Sequence, residues 1–278
     1  MTSRHVVHEA AEAFQTATEQ LADILPNGLH ERGPNGALLA VTGSMIPVLN
    51  SIMSVSDVPD AEEIRLLCEK AEPHVRQLPW SIRLRGEAGG EITELAARRG
   101  LSTQLRQPFM LLSLEDGRAD GRADGRADRR AGGPEVGREQ GHSGPESVTV
   151  RPLSGDEYET FAAVLGTAFG APPMIISSLY TPHVLGQPFV KAYLAEADGT
   201  PVAAGLAIVT ERHVGLANIG TLPEHRRRGI GRAIVEAILR DARAAGARTA
   251  YLHSSDEALP LFEQAGFRTE ETWVAFTA

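Results

Sequence analysis

HRRRGIGRA, residues 225–233, is the stretch on which the reading of this chain turns. Three arginines, Arg226, Arg227 and Arg228, run into Gly229-Ile230-Gly231. Upstream, HVGLANIGTL reads as a strand that ends in a Pro-Glu turn. Downstream, Ile230, Ile234, Ala237, Ile238 and Ala242 fall at helical spacing, with Gly246 as a stop. The first amides of a helix have no internal partner and point outwards, and the helix dipole adds partial positive charge there. Glycines remove the Cβ atoms that would hold an anion off the backbone, and arginines add charge and paired donors. Strand, arginine-rich glycine turn and helix together make a cradle for a polyanion with a bulky diphosphate.

The positive charge of that stretch is local. The 278-residue chain carries a formal charge of −9, which argues against a general nucleic-acid binder. Its 42% hydrophobic content is enough for real cores, and its length suits two modest domains. The single cysteine, Cys68, cannot form an internal disulfide or a Cys-rich zinc site, so a reducing compartment is expected, and no metal. Within LLCEKA it reads as a small buried residue. No apolar run reaches membrane-spanning length, and MTSRHVVHEAAEAF has no secretory pattern, so a cytoplasmic protein without membrane contact is expected.

GRADGRADGRAD, residues 117–128, is a tandem four-residue repeat within a Gly-, Arg-, Asp- and Glu-rich stretch. Such a composition cannot bury enough apolar surface to offset its ordering entropy. Residues 115–147 therefore read as a linker between halves at 1–114 and 148–278. Each Arg of the repeat is matched by a nearby Asp, so the field is close to neutral and a nucleic-acid partner is not expected.

A dinucleotide-binding G-x-G-x-x-G would need a third glycine near the position of Ile234, and a P-loop would need Gly-Lys-Ser/Thr; neither is present. What the second half holds instead is R-x-x-G-x-G after a strand and a Pro-Glu turn, followed by SSDEALPLFEQAGF. This resembles the GNAT (Gcn5-related N-acetyltransferase) family over about residues 148–278. There the downstream segment usually reads N-x-x-A-x-x-L-Y-x-x-x-G-F, and here Ser255, Ala258, Leu261, Phe262, Gly266 and Phe267 stand in those places. The resemblance implies an α/β (α+β) fold with a mixed, mostly antiparallel sheet flanked by helices, and acetyl-CoA as co-substrate. It implies that backbone groups of Ile219, Gly220 and Thr221 pair with the pantetheine. The stretch Arg226, Arg227, Arg228, Gly229, Ile230, Gly231 and Arg232 would then hold the pyrophosphate, and Ser255 and Phe262 would pack near the thiol. Arg227 stands where the family often has glycine, so its side chain is expected to splay outwards, towards the CoA ribose phosphate or into solvent.

The implied chemistry is attack of a neutral amine on a thioester. An alkylammonium of pKa about 10.4 must first lose a proton, which a carboxylate, an imidazole or an ordered water can take. Glu211 and His213 are the candidate bases, because they share strand parity with Gly215 and Ala217; both also sit where a turn is expected. One position departs from the family pattern: Phe262 replaces the tyrosine that protonates the leaving thiolate. A thiol of pKa near 8.5 is already a fair leaving group, so turnover is still expected. A domain that binds the cofactor without catalysis is the rival reading.

The first half repeats the order of elements. HVVHEAAEAFQTATEQLADIL reads as an amphipathic helix, GALLAVTG and LNSIMSVSD as strands, DAEEIRLLCEKA as a helix, LPWSIRLRG as a strand, GEITELAARRGL as a helix and PFMLLSL as a strand. Where the second half has LPEHRRRGIGRAI, the first has VSDVPDAEEIRLL. Its carboxylates would satisfy the helix dipole themselves and repel a diphosphate. The first half is therefore expected to be a degenerate GNAT-like copy that packs against the second and helps to wall the acceptor site. The whole suggests a tandem N-acetyltransferase acting on a small-molecule or peptide amine, with homodimerisation left open. The two-domain plan also resembles that of mycothiol synthase.

Overall fold

The computed structural model describes residues 3–115 and 148–278, so all of the expected linker except Glu115 lies outside the described residues. The first half runs α1 (Ser3–Ile24), β1 (Leu29–Arg32), β2 (Leu38–Val41), β3 (Asn50–Ser54), α2 (Ala61–Val75), β4 (Ser81–Arg85), α3 (Gly90–Arg98) and β5 (Thr103–Ser113). The second runs β6 (Val148–Pro152), α4 (Tyr158–Phe169), α5 (Pro173–Leu179), α6 (Pro182–Leu185), β7 (Val190–Ala197), β8 (Thr200–Thr210) and β9 (His213–Thr221). It ends with α7 (Ile230–Ala244), β10 (Thr249–His253), α8 (Leu259–Gln264) and β11 (Arg268–Thr277).

Local sequence explains most of these boundaries. Asp198 and Gly199, at φ 50° and 80°, form the tight β7–β8 hairpin that an Asp-Gly pair favours. Gly246, at φ 88°, closes α7, with the Ala247 amide donating back to the Ala242 carbonyl at 3.0 Å. Cys68 is buried in α2, and burial pushes its thiol up to about 12. Three short elements are additions to the sequence reading. Strand β1 was not expected, and PPMIISSLYTPHVL, to which the sequence assigned no element, forms the short helices α5 and α6, each opened by a proline in its first turn.

The mixed, mostly antiparallel sheet is present, but the two halves share it. Eleven strands run in the order β1-β2-β3-β4-β11-β5-β10-β9-β8-β7-β6. In each half a helical crossover makes one parallel pair, β3 with β4 and β9 with β10. Each pair is then extended by the last strand of the other half: β11 lies antiparallel to β4, and β5 antiparallel to β10. β5 and β11 join along the centre from Thr103↔Thr277 to Leu111↔Arg268. This exchange leaves neither half with a free edge at the middle, where unpaired amides and carbonyls would otherwise face solvent.

The alternation of β10 and β11 sorts the helices by face. Ala250 and Leu252 pack with α7 and α8, and Val274 and Phe276 with α2 and α3. Tyr251 and Trp273 face the other way, against α1. Further along, Leu21 and Leu25 of α1 join the core under α4, α5 and α6. The first helix of the chain thus crosses the sheet from one half to the other on the face opposite α7.

Candidate active site

The parallel pair of the second half opens. β9 and β10 are in register only at His213↔Thr249, Val214↔Ala250 and Gly215↔Tyr251, after which β9 runs on to Thr221 paired with β8 but not with β10. Gly215 permits this junction, because a Cβ there would lie 2.7 Å from the Tyr251 ring. At the mouth of the opening is a cleft of about 820 Å³. It brings together Ile219, Gly220 and Thr221 of β9, Arg226, Arg227, Gly229, Ile230, Gly231 and Arg232 of the turn and first α7 residues, and Ser255 beyond β10. The end of α4, Thr167 to Gly170, forms the facing wall. Gly220 lets that wall approach, since a Cβ there would come within 2.9 Å of the Ala168 Cβ. Arg228 is not among the lining residues.

The turn before α7 is shaped by two left-handed residues, Arg227 at φ 64° and Gly229 at φ 81°. Gly229 occupies the N-cap position and supplies no side-chain cap. The first amide to find a partner is that of Ala233, which donates to the Gly229 carbonyl at 3.0 Å. By helix geometry the amides of Ile230, Gly231 and Arg232 have no intrahelical acceptor, and they line the cleft at the positive end of the helix dipole. Such a helix start, beside an opened strand pair, fits a diphosphate joined to an extended arm.

Arg226 does something that the sequence did not suggest. Its Nη2 donates to the Ala168 carbonyl at 2.7 Å, its Nε to the Thr221 carbonyl at 3.3 Å, and Nη1 lies 3.9 Å from a Glu257 carboxylate oxygen. In a continuing helix the Ala168 carbonyl would accept from residue 172, but Pro172 has no amide hydrogen. Arg226 therefore caps the C-terminus of α4 and bolts one wall of the cleft to the other.

A bulge in β9 is the second feature missed from sequence. Leu206 faces Ala217 and Ala204 faces Gly220, so Asn218 and Ile219 together oppose Gly205. Asn218 takes φ 53°, and its Nδ2 donates to the hydroxyl of Tyr180, whose ionisation burial pushes up. A Cβ on Gly205 would come within 2.4 Å of Ile234 and 2.9 Å of Ile219. The bulge breaks the ladder beside the cleft-lining Ile219, where a backbone amide can be aimed at an oxyanion. The isolated Gly205 in an apolar strand, and an asparagine that tolerates the left-handed region, are the signals from which it was legible.

The geometry corrects two candidate roles. Glu211, at φ 51°, sits in the β8–β9 hairpin, and His213 begins β9. Six residues of strand, about 20 Å at 3.3 Å per residue, separate His213 from Ile219. Both side chains are at the closed end of the strand pair, because shared strand parity fixes a face but not a depth along it. Burial holds the His213 imidazole below its ordinary value. Phe262 is buried in the core under α7, its ring 5.9 Å from that of Phe267, and does not line the cleft. Among the described residues, no group of three or more His, Cys, Asp or Glu side chains is placed to hold a metal ion. None of their helices is long and apolar enough to cross a membrane.

Fold and cleft define an acyltransferase-type domain, an opened parallel strand pair with an uncapped helix at its mouth. Residues 163–267 match the sequence model of the acetyltransferase (GNAT) family. Solved structures extend the likeness in fold to most of the chain. A GCN5-related N-acetyltransferase from Kribbella flavida is 21% identical, with a TM-score of 0.61 over 96% of this chain and 95% of that one. A conserved protein of unknown function from Staphylococcus epidermidis is 15% identical, with a TM-score of 0.60 over 92% and 95%. A GCN5-related N-acetyltransferase from Sphaerobacter thermophilus is 15% identical, with a TM-score of 0.52 over 88% and 80%. Nothing among curated proteins matches the chain.

Proposed function

We propose that the protein transfers an acetyl group from acetyl-CoA to the amine of a small molecule or peptide in the cytoplasm. The observation that carries this reading is the uncapped start of α7, with Gly229 as N-cap, at the mouth of the opened β9–β10 pair. On this reading the free amides of Ile230, Gly231 and Arg232 hold the diphosphate, and Arg227 and Arg232 add charge at the rim. Residues Ile219 to Thr221 lie along the extended arm. When bound, acetyl-CoA supplies an activated acyl carbonyl. The chain's contribution is to fix that carbonyl beside the Asn218–Ile219 bulge, where an amide can stabilise developing negative charge, and to keep α4 closed over it through Arg226.

Calorimetry with acetyl-CoA, followed by free-thiol release across a panel of primary amines, tests the proposal. Saturable heat and amine-dependent thiol release are expected, and an absence of heat would overturn the assignment of the cleft. Tight binding without thiol release from any amine would favour an acyl-CoA-binding sensor. The specific observation behind that second reading is Phe262, a buried ring with no proton to give where the family carries a phenol.

A further inference from the structure

We propose that Arg83 and His253 form the recognition end of the acceptor site and that the acceptor is an amine that also carries a carboxylate; this rests on the acyl-transfer reading above. Strand β4 presents two arginines to the α1 face, and their surroundings differ. Arg85 is neutralised: it donates to Glu271 at 2.8 Å and lies 3.0 Å from Asp57. Arg83 is only 5% exposed and has no carboxylate within ion-pair distance among the described residues. Its contacts are a 3.4 Å hydrogen bond to the Gln107 side chain and the ring of Phe14, 4.8 Å from the guanidinium. Burial lowers its pKa to about 10, so it is still a cation at neutral pH. An uncompensated buried cation is costly, and an anionic ligand is the simplest compensation.

His253 lies beside it. Its ring is 4.8 Å from Phe14 and 4.9 Å from both Phe109 and Trp273. Both ring nitrogens are buried and neither has a hydrogen-bond partner. Burial, and then the nearby Arg83, hold the imidazole well below its ordinary range, so it is neutral and one nitrogen is an acceptor awaiting a donor. The pair is not sealed from solvent: Phe14, Gln107 and His253 around it are each half-buried. It also lies on the working side of the fold. His253 is the last residue of β10, on the opened arm, and Ser255 two residues on lines the cleft.

The other charged groups nearby are engaged. Glu9 and Glu12 of α1 pair with His5 and His8, and Glu271 of β11 takes both Arg85 and the Trp273 indole. A carboxylate on Arg83 and an N–H donor on His253 would satisfy both orphaned groups at once. Arg83 comes from the first half and His253 from the second, which gives the first half a part in choosing the acceptor.

The test uses the full chain saturated with CoA. Calorimetry compares the free amino acids with their carboxamides, together with phosphoethanolamine. The expected result is at least one amino acid bound ten-fold or more tightly than its carboxamide. That preference should vanish in Arg83→Gln and survive in part in Arg83→Lys, while CoA affinity is unchanged in both, which shows that the fold and the cleft assignment are intact. No preference for any carboxylate, or a preference undiminished in Arg83→Gln, would overturn the proposal. So would phosphoethanolamine binding more tightly than every amino acid. If Arg83→Gln does not fold, His253→Asn carries the test: it should weaken the preferred amino acid ten-fold or more and spare CoA, and unaltered amino-acid binding counts against the site.

Discussion

The two halves run the same elements to opposite ends, and the divergence is sharpest at one helix start. In the first half, β3 and β4 stay in register from Ser51↔Ser81 to Ser54↔Leu84, so that pair never opens. The helix that follows β3 is closed by its own residues: the Asp60 side chain accepts from the amides of Glu62 and Glu63 at 2.9 and 3.0 Å. Glu63, only 3% exposed, turns back to the amides of Asn35 and Ala37. In the second half the matching helix has a glycine N-cap with nothing to offer, and the strand pair opens beside it. A helix start can satisfy its amides from within or leave them for a ligand. Here one chain does both.

The largest expected effect breaks the comparison from the second half. A Cβ on Gly231 would meet only Thr221 Oγ1 at 3.5 Å and Leu261 Cδ2 at 3.6 Å, ordinary contacts, so a side chain can be accommodated. Gly231→Glu would bring a carboxylate to the helix start and make it resemble the first half. Acetyl-CoA affinity should fall a hundred-fold or more, roughly 2.7 kcal/mol, with the thermal midpoint little changed. Calorimetry and a melting curve check both parts, and unchanged affinity would move the diphosphate elsewhere.

A smaller effect sharpens the account of the cradle. If Arg226 acts by capping α4, an uncharged donor should substitute for it. Arg226→Gln should stay within a few-fold of the parent in acetyl-CoA affinity, whereas Arg226→Ala should lose about ten-fold, roughly 1.4 kcal/mol. Equal losses in the two variants would mean that the charge itself meets the phosphates. Arg227, whose guanidinium is not committed in this way, should instead show its contribution as a salt-dependent change in affinity.

What was legible in the sequence follows from what each signal encodes. Periodicity and turn chemistry report local structure, so β7 to β11, α7 and most of the cleft lining between Ile219 and Arg232 could be read from residues alone. The exchange of β5 and β11 could not, because PFMLLSL and FRTEETWVAFTA fit a central strand whichever half they join. Glu211 and His213 were misplaced for a similar reason: alternation says which face a residue takes, not how far it lies from the opening. The roles of Arg226 and Arg83 depend on partners 58 and 24 residues away, Ala168 and Gln107, which no local pattern names.

The smallest expected effect belongs to the first half and runs opposite to Gly231→Glu. Asp60 is half-buried, and the amides of Glu63 and Glu62 hold its carboxyl below the usual carboxylate value. Asp60→Ala removes that cap and strands two amides at the start of α2. N-cap losses of this kind typically cost about 1 kcal/mol, so the chemical-denaturation midpoint should fall modestly. Asn35 also donates to the Asp60 carboxylate at 2.6 Å, and the turn before β2 should loosen with it. Acetyl-CoA affinity should not change, because this helix start closes on itself and makes no part of the cleft. Loss of affinity in Asp60→Ala without loss of stability would mean that the first helix start also serves a ligand, and the division of labour between the halves would fail.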